Sequence, residues 1–336
     1  MEHSNPNLTI ADLGEQQLLQ RLYQFCSPSK VGDDAAVLTP RPGHHIVVTT
    51  DMLVDGIHFS DRTTSPADVG WRAAAANLSD IAAMGAMPLG LTISLGLPET
   101  LSVHWLDQLY QGIADCLNTY GTAIIGGDLS RSAVVTVSMT ALGEVLPSAQ
   151  ILRTTAQPGD AIVVTGVHGA ARAGLELLLN PDWGQTLSTA EQLELKQAHQ
   201  HPQPRLDVIQ CLRQIAPEVR VSGMDSSDGL ADAVLQICRA SGVGAEIQQT
   251  HIPIPKSLQA TQALTSEQIL EWALYGGEDF ELVLCLPLPS AQALIATMGA
   301  GSAIIGHITL ERNVNVLDRQ GIEHPLNMQS GYQHFG

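Results

Sequence analysis

The chain has 336 residues, 44% of them hydrophobic, and carries 16 Lys and Arg against 34 Asp and Glu, a formal charge of −18. That apolar content excludes a disordered acidic tail, and at about 100–200 residues per domain the length predicts two domains. The acid excess argues against nucleic-acid and anionic-membrane partners, both of which attract Lys- and Arg-rich surfaces.

Lysine is confined to Lys30, Lys196 and Lys256, so a phosphate-bearing substrate would need another source of positive charge. The cysteines (Cys26, Cys116, Cys211, Cys238, Cys285) are scattered, form no C-x-x-C and read as reduced thiols. The first residues lack a basic start followed by an apolar run, and no apolar stretch reaches the ~18 residues of a membrane helix. A soluble, cytoplasmic protein is expected.

Strand-like and helix-like patterns alternate, the mark of an α/β or α+β protein. Residues 45–50 (HIVVTT) predict a strand ending at Asp51, and the alanine-rich 68–84 a helix closing at Gly85. Residues 105–120 repeat apolar side chains at helical spacing. Residues 122–125 predict a short strand entering a Gly126-Gly127-Asp128 turn, and 134–145 another strand. The Pro-bearing stretch 146–160 predicts a boundary between domains 1–147 and 148–336. Beyond it come a strand–glycine–helix unit (161–179), a polar stretch (180–204) and a helix after Asp228. A strand near 244–248, a helix–turn–strand through 268–286 and a final strand at 303–308 before a polar tail complete the pattern.

The acids form islands: Asp33-Asp34 after Gly32, Asp51, Asp80 within the helix, Asp128 after two glycines, Asp225-Ser-Ser-Asp228-Gly229, and Glu278-Asp279 after Gly276-Gly277. A carboxylate in an apolar neighbourhood is costly unless paired, hydrogen-bonded or metal-bound. Each island alone has a structural explanation: a turn residue at Asp128, a helix cap at Asp228, a solvated helix position at Asp80. Six in one chain, mostly at strand ends and glycine turns, favour function, because functional residues of α/β proteins gather there. Oxygen-only donors suit Mg²⁺, which binds through one or two carboxylates plus substrate phosphates and would supply the charge that lysine does not. The residues alone thus point to metal-assisted phosphoryl transfer.

Other signals fail. There is no P-loop and no protein-kinase signature set, and Val164-Thr-Gly166-Val-His-Gly169 lacks the full G-x-G-x-x-G, so it reads as a packing turn. His58, soon after Asp51, is as compatible with a structural role as with a functional one. His44 and His45 read as solvated, and Tyr120 as buried under the following strand.

Taken in order, Gly-Asp33-Asp34-Ala-Ala, Thr49-Thr50-Asp51 with Gly56-Ile-His58-Phe59, Asn77-Leu-Ser-Asp80-Ile-Ala-Ala-Met-Gly, Gly126-Gly127-Asp128, Asp225-Ser-Ser227-Asp228-Gly229-Leu and Gly276-Gly-Glu278-Asp279 resemble the thiamine-monophosphate kinase family. That family belongs to a superfamily with aminoimidazole ribonucleotide synthetase, selenophosphate synthetase and a hydrogenase maturation factor. The resemblance spans about residue 11 to Gly331-Tyr332. It implies a two-domain fold: an N-terminal mixed sheet that pairs across a homodimer into a β-barrel, and a C-terminal α/β domain closing the nucleotide cleft. The implied reaction is ATP plus thiamine monophosphate to ADP plus thiamine diphosphate, with several Mg²⁺ ions.

Position by position, the resemblance assigns metal sites to Asp34, Thr49, Thr50, Asp51, Asp80, Asp128, Asp225 and Asp228, of which Asp51, Asp128 and Asp228 would be catalytic. It assigns ATP contacts to Gly127, Asp128, Arg153 and Ser227, and thiamine-monophosphate contacts to His58, Glu278 and Tyr332. Arg153 suits phosphate through its fixed bidentate fork. Glu278 suits the thiamine cation, and Tyr332 could stack on one of its rings. Ser226 departs from the family pattern, being polar where an apolar residue commonly stands.

Overall fold

The computed structural model describes residues 8–327. Within them the chain forms two compact units: one runs to Ile81 and again through Met87–Glu144, the other comprises Ala82–Ala86 and the chain from Val145 on.

The first unit begins with α1 (Ile10–Leu13), closed by a Thr9–Asp12 capping box, and α2 (Glu15–Leu22). Then follow β1 (His45–Val54), α3 (Pro66–Ala83), β2 (Met87–Leu97), α4 (Val103–Thr119), β3 (Ile124–Arg131) and β4 (Thr136–Val145). The sheet has the order β1-β4-β2-β3, with β2 antiparallel to β4 and parallel to β3. Alternation along the strands buries Leu91, Ile93 and Leu95 of β2 with Val137, Met139 and Ala141 of β4 on one face. Each fully buried Leu or Ile contributes roughly 1.5–3 kcal/mol of transfer free energy. Ile81 of α3 abuts Gly143 of β4 on this side. Two glycines let α3 and α4 meet: a Cβ on Gly70 would lie 2.1 Å from Leu109 O, and one on Gly112 would lie 1.9 Å from Ala67 O. On the other face, Ile46, Val48 and Met52 of β1 are exposed.

The second unit contains β5 (Ala161–Val164), α5 (Ala170–Leu179), α6 (Thr189–Gln200), α7 (Leu206–Ile215), β6 (Ser222–Asp225), α8 (Leu230–Ser241) and β7 (Gly244–Gln248). It continues with α9 (Lys256–Ala260), α10 (Ser266–Tyr275), β8 (Leu282–Leu286), α11 (Leu288–Met298), β9 (Ala303–Thr309), β10 (Val314–Leu317) and β11 (Glu323–Pro325). These strands make a mixed sheet of order β11-β10-β7-β9-β5-β8-β6. The unbroken apolar runs Ala-Ile-Val-Val of β5 and Leu-Val-Leu-Cys-Leu of β8 are buried at every position, as strands covered on both faces require.

Several sequence expectations are corrected. The polar stretch 180–204 contains α6, a helix nucleated by the Ser188–Glu191 capping box, which buries only Leu195 and His199 and so shows little apolar periodicity. The strand at 303–308 is not the last, because the chain adds β10 and β11. Strand β1 does not end at Asp51; Met52, Leu53 and Val54 prolong it. The Gly126-Gly127-Asp128 segment lies within β3 rather than in a turn. Its glycine answers a close approach, since a Cβ on Gly127 would lie 2.3 Å from Ile93 O. Tyr120 is half-buried, and His45 opens β1 in an exposed position.

Candidate active site

In the first unit the acidic residues fall on both faces of the sheet. Thr49 Oγ1 donates to Asp80 Oδ2 at 2.5 Å, tying β1 to α3. Thr50 turns the other way: its hydroxyl donates to Met139 O at 2.7 Å and accepts from Thr140 Oγ1 at 3.3 Å. Alternation therefore puts Asp51 on the Thr49 and Asp80 side. Asp128 pairs in register with Ser94, two residues along β2 from Thr92, which pairs with Thr140, so Asp128 shares the face of Thr50. Strands β1 and β3 are the two edges of the sheet, three strand spacings or about 14 Å apart. Asp51 and Asp128 thus lie on opposite edges and opposite faces. Asp34 is exposed in the irregular segment before β1, where Lys30 Nζ donates to Val37 O at 2.8 Å.

His58 follows β1 in a tight turn, and its Nδ1 accepts from Val54 N at 3.0 Å. That hydrogen-bond pattern assigns the proton of the neutral ring to Nε2, leaving a donor there. The buried Arg72 of α3 donates to the His58 carbonyl at 3.0 Å and braces the turn.

In the second unit the structure brings three expected residues together. Asp225, 2% exposed at the end of β6, accepts from Ser227 Oγ at 3.3 Å. Glu278 N donates to Ser227 O at 2.8 Å, and a Cβ on Gly277 would lie 2.5 Å from that same oxygen. Glycine is obligatory in this contact, and Glu278 beside it adopts φ +68°, a conformation rarely held by an L side chain outside functional or strained turns. Asp228 is exposed, and Gly229 rather than Asp228 occupies the cap position of α8. Arg153 stands apart from this cluster. Its Nη1 donates to Gln236 Oε1 at 2.7 Å, midway along α8. Tyr332 lies outside the described residues.

Further residues surround the cluster, and of their side chains the sequence singles out only Asp279, as an acidic-island candidate. His199 of α6 places Nδ1 3.5 Å from Glu278 Oε2. Asp279 accepts from Gly169 N at 2.6 Å and Ala171 N at 2.9 Å, closing the N-terminus of α5 with the chain's own carboxylate. Enclosure pushes the Asp279 carboxyl up to about 7, against the lowering pull of those amides. Glu281 is raised by burial despite Arg205 Nη1 at 2.5 Å and the Thr165 hydroxyl. The Val164–Gly169 turn is thereby filled from within: a Cβ on Gly166 would lie 2.1 Å from Glu281 Oε1. His168 in that turn is fully buried, and burial lowers its pKa to about 4. Only the Gly-Gly-Glu-Asp motif signalled this region in the sequence; pairing through α6 depends on tertiary contacts.

The donors at the expected metal positions are all oxygens, which fits Mg²⁺. Among the described residues no three His, Cys, Asp or Glu side chains cluster as a metal cage. Mg²⁺ does not require one, because it binds through one or two carboxylates together with substrate phosphates. The buried Asp225 and the Thr49–Asp80 pair are suitable partial shells of that kind.

The comparisons agree with this architecture. The AIR synthase related N-terminal domain matches residues 32–145, and the corresponding C-terminal domain matches 157–319. Fold and site therefore define an AIR synthase-related protein. The chain is 51% identical over 330 residues to the thiamine-monophosphate kinase of Synechococcus elongatus, covering 97% of this chain and 98% of that protein. The crystal structure of thiamine-monophosphate kinase from Stenotrophomonas maltophilia K279a matches with a TM-score of 0.78 and 32% identity over 89% of this chain and 95% of that one. AaThiL complexed with AMPPCP and TMP matches with a TM-score of 0.74 and 30% identity over 96% and 98%. The chain belongs to the thiamine-monophosphate kinase family.

Proposed function

We infer that the protein transfers the γ-phosphoryl group of ATP to thiamine monophosphate, giving ADP and thiamine diphosphate for thiamine diphosphate biosynthesis. The observation that carries this is the 51% identity to a thiamine-monophosphate kinase along almost the whole of both chains. AaThiL, similar over 96% of this chain, is complexed with AMPPCP and TMP, a nucleotide analogue and a partner ligand held by one protein.

The chemistry is a direct displacement. An oxygen of the thiamine-monophosphate phosphate forms a bond to the γ-phosphorus, the bond from that phosphorus to the β–γ bridging oxygen breaks, and ADP leaves with its electron pair. Phosphate monoesters have a second pKa of about 6, so the attacking oxygen is already ionised at neutral pH and no strong base is needed. This agrees with the carboxylates that the described residues bring to the site. Positioning and charge neutralisation then carry the catalysis.

Asp34, Thr49, Thr50, Asp51, Asp80, Asp128, Asp225 and Asp228 would hold several Mg²⁺ ions, which supply neutralisation of the phosphate charge when bound. Gly127, Asp128, Arg153 and Ser227 would contact ATP. His58, with Nε2 as donor, Glu278 and Tyr332 would contact thiamine monophosphate. Because Asp51 and Asp128 lie on opposite edges of one sheet, this reading assembles the site with the substrates and a second copy of the chain. The exposed apolar face of β1 supports a homodimer closed into a β-barrel. No described helix is long and apolar enough to cross a membrane. The acidic, lysine-poor composition suits a cytoplasmic enzyme of small phosphorylated substrates.

The test is to measure turnover of Asp51→Asn and Asp128→Asn. Each is expected to lose activity by two or more orders of magnitude while keeping the wild-type thermal midpoint. Near-normal turnover of both would overturn the metal assignment.

A further inference from the structure

Glu278 has a fixed backbone. It sits at φ +68° with its amide bonded to Ser227 O at 2.8 Å, and the preceding Gly277 is pressed against the same carbonyl. These contacts fix the backbone; for the carboxylate to present one geometry to a ligand, the side-chain torsions must be restrained as well.

His199 stands where that restraint is needed. It belongs to the last turn of α6, is 2% exposed, and has Nδ1 3.5 Å from Glu278 Oε2. The Glu278 side chain keeps 34% exposure, so His199 Nδ1 approaches the carboxylate from the protein side while the carboxylate still reaches solvent. The placement of His199 follows from the packing of α5 on α6. A Cβ on Gly174 would lie 2.0 Å from Leu195 O and 3.1 Å from His199 Cβ, so only glycine at 174 lets α6 come close enough. A largely polar helix that buries a histidine in one of its two enclosed positions carries a cost in desolvation, which a role beside Glu278 offsets.

We propose that His199 is a positioning residue for Glu278, holding one carboxylate oxygen through Nδ1 so that the side chain offers a fixed acceptor to the cationic, amino-bearing thiamine moiety. The proposal rests on the reading of Glu278 as a thiamine-monophosphate contact. Because His199 would act through Glu278, its effect falls on recognition of one substrate.

The test is steady-state kinetics of the full-length enzyme with each substrate varied in turn. The variants are Glu278→Gln, His199→Leu, His199→Asn and the Glu278→Gln/His199→Leu double variant. Leu keeps the buried volume without the nitrogens, and Asn restores a donor near the Nδ1 position. Glu278→Gln and His199→Leu are each expected to raise KM for thiamine monophosphate about tenfold, with KM for ATP within about twofold of wild type. The double variant is expected to be no worse than Glu278→Gln alone, and His199→Asn to recover most of the loss.

If Glu278→Gln raises KM while His199→Leu does not, the proposal is overturned and the role of Glu278 stands. Additive losses, or equal losses toward both substrates, also overturn it, because His199 would then act as ordinary packing. If Glu278→Gln itself leaves KM for thiamine monophosphate unchanged, the reading of Glu278 fails and the proposal with it. Should His199→Leu not fold, His199→Gln, whose amide reaches the Nε2 position instead, is judged by the same criteria.

Discussion

The Thr49 hydroxyl of β1 donates to the Asp80 carboxylate of α3 at 2.5 Å, so the strand and the helix that carry two expected metal residues are joined at that point. Partners that orient a ligating carboxylate typically matter 10–100-fold in metal affinity. Thr49→Val is therefore expected to raise the Mg²⁺ concentration for half-maximal rate by at least about tenfold, and Thr49→Ser to stay near wild type. A Mg²⁺ titration of activity checks this; an unchanged titration in Thr49→Val would contradict it.

Ser226 lies fully buried between Asp225 and Ser227, and its hydroxyl finds no hydrogen-bond partner among the described residues. An unsatisfied buried hydroxyl costs about 1–3 kcal/mol. Ser226→Ala is expected to stabilise the protein by roughly 1 kcal/mol, raising the thermal midpoint by about 2–4 °C without altering kinetics. A lower midpoint would show that the hydroxyl is satisfied.

His168 and Asp279 give stability opposite pH dependences. Burial holds His168 at about 4 in the folded chain, below its ordinary 6.5, so the unfolded state binds the extra proton between those values and stability falls as pH drops from 6.5 toward 4. Asp279 is raised from 3.8 to about 7, so the folded state binds the extra proton and this contribution is lost as pH rises through 7. Urea unfolding of wild type and His168→Leu at pH 7.5 and 4.5 separates the two. The variant is expected to gain about 2–3 kcal/mol on wild type as pH falls between those points. A pH-independent difference would rule out a neutral buried His168.

Val48 is 60% exposed on the open face of β1, with Ile46 two residues before it and Met52 four residues after it on the same face. A charge at the centre of an apolar interface is strongly disfavoured. Sedimentation is expected to find a dimer for wild type and a monomer for Val48→Asp. A wild-type monomer at micromolar concentration would contradict the barrel reading.

Much of the fold was legible because it rests on local patterns. Alanine-rich α3, the β-branched start of β1 and the buried runs of β5 and β8 announce themselves through periodicity and burial. Helix α6 does not, because its capping box and the approach at Gly174 stabilise it more than its apolar content does. The strand character of Asp51 and Gly126–Asp128 was hidden for a related reason: polar and glycine residues sit in strands only where neighbouring strands supply the pairing. At the site, the Asp225–Ser227 and Gly277–Glu278 motifs were visible as residues, but not the contact that locks them together. His199 lies far from Glu278 in sequence, and Glu281, two residues past Asp279, meets Thr165 and Arg205 only through the fold, so no spacing could reveal either contact.

The most direct test of the central claim is a product assay on the purified full-length protein with ATP, Mg²⁺ and thiamine monophosphate, with free thiamine and formylglycinamidine ribonucleotide as parallel substrates. Stoichiometric thiamine diphosphate and ADP from thiamine monophosphate, and none of the corresponding product from the other two, is the predicted result. Tight binding of ATP and Mg²⁺ with no thiamine diphosphate formed would contradict it.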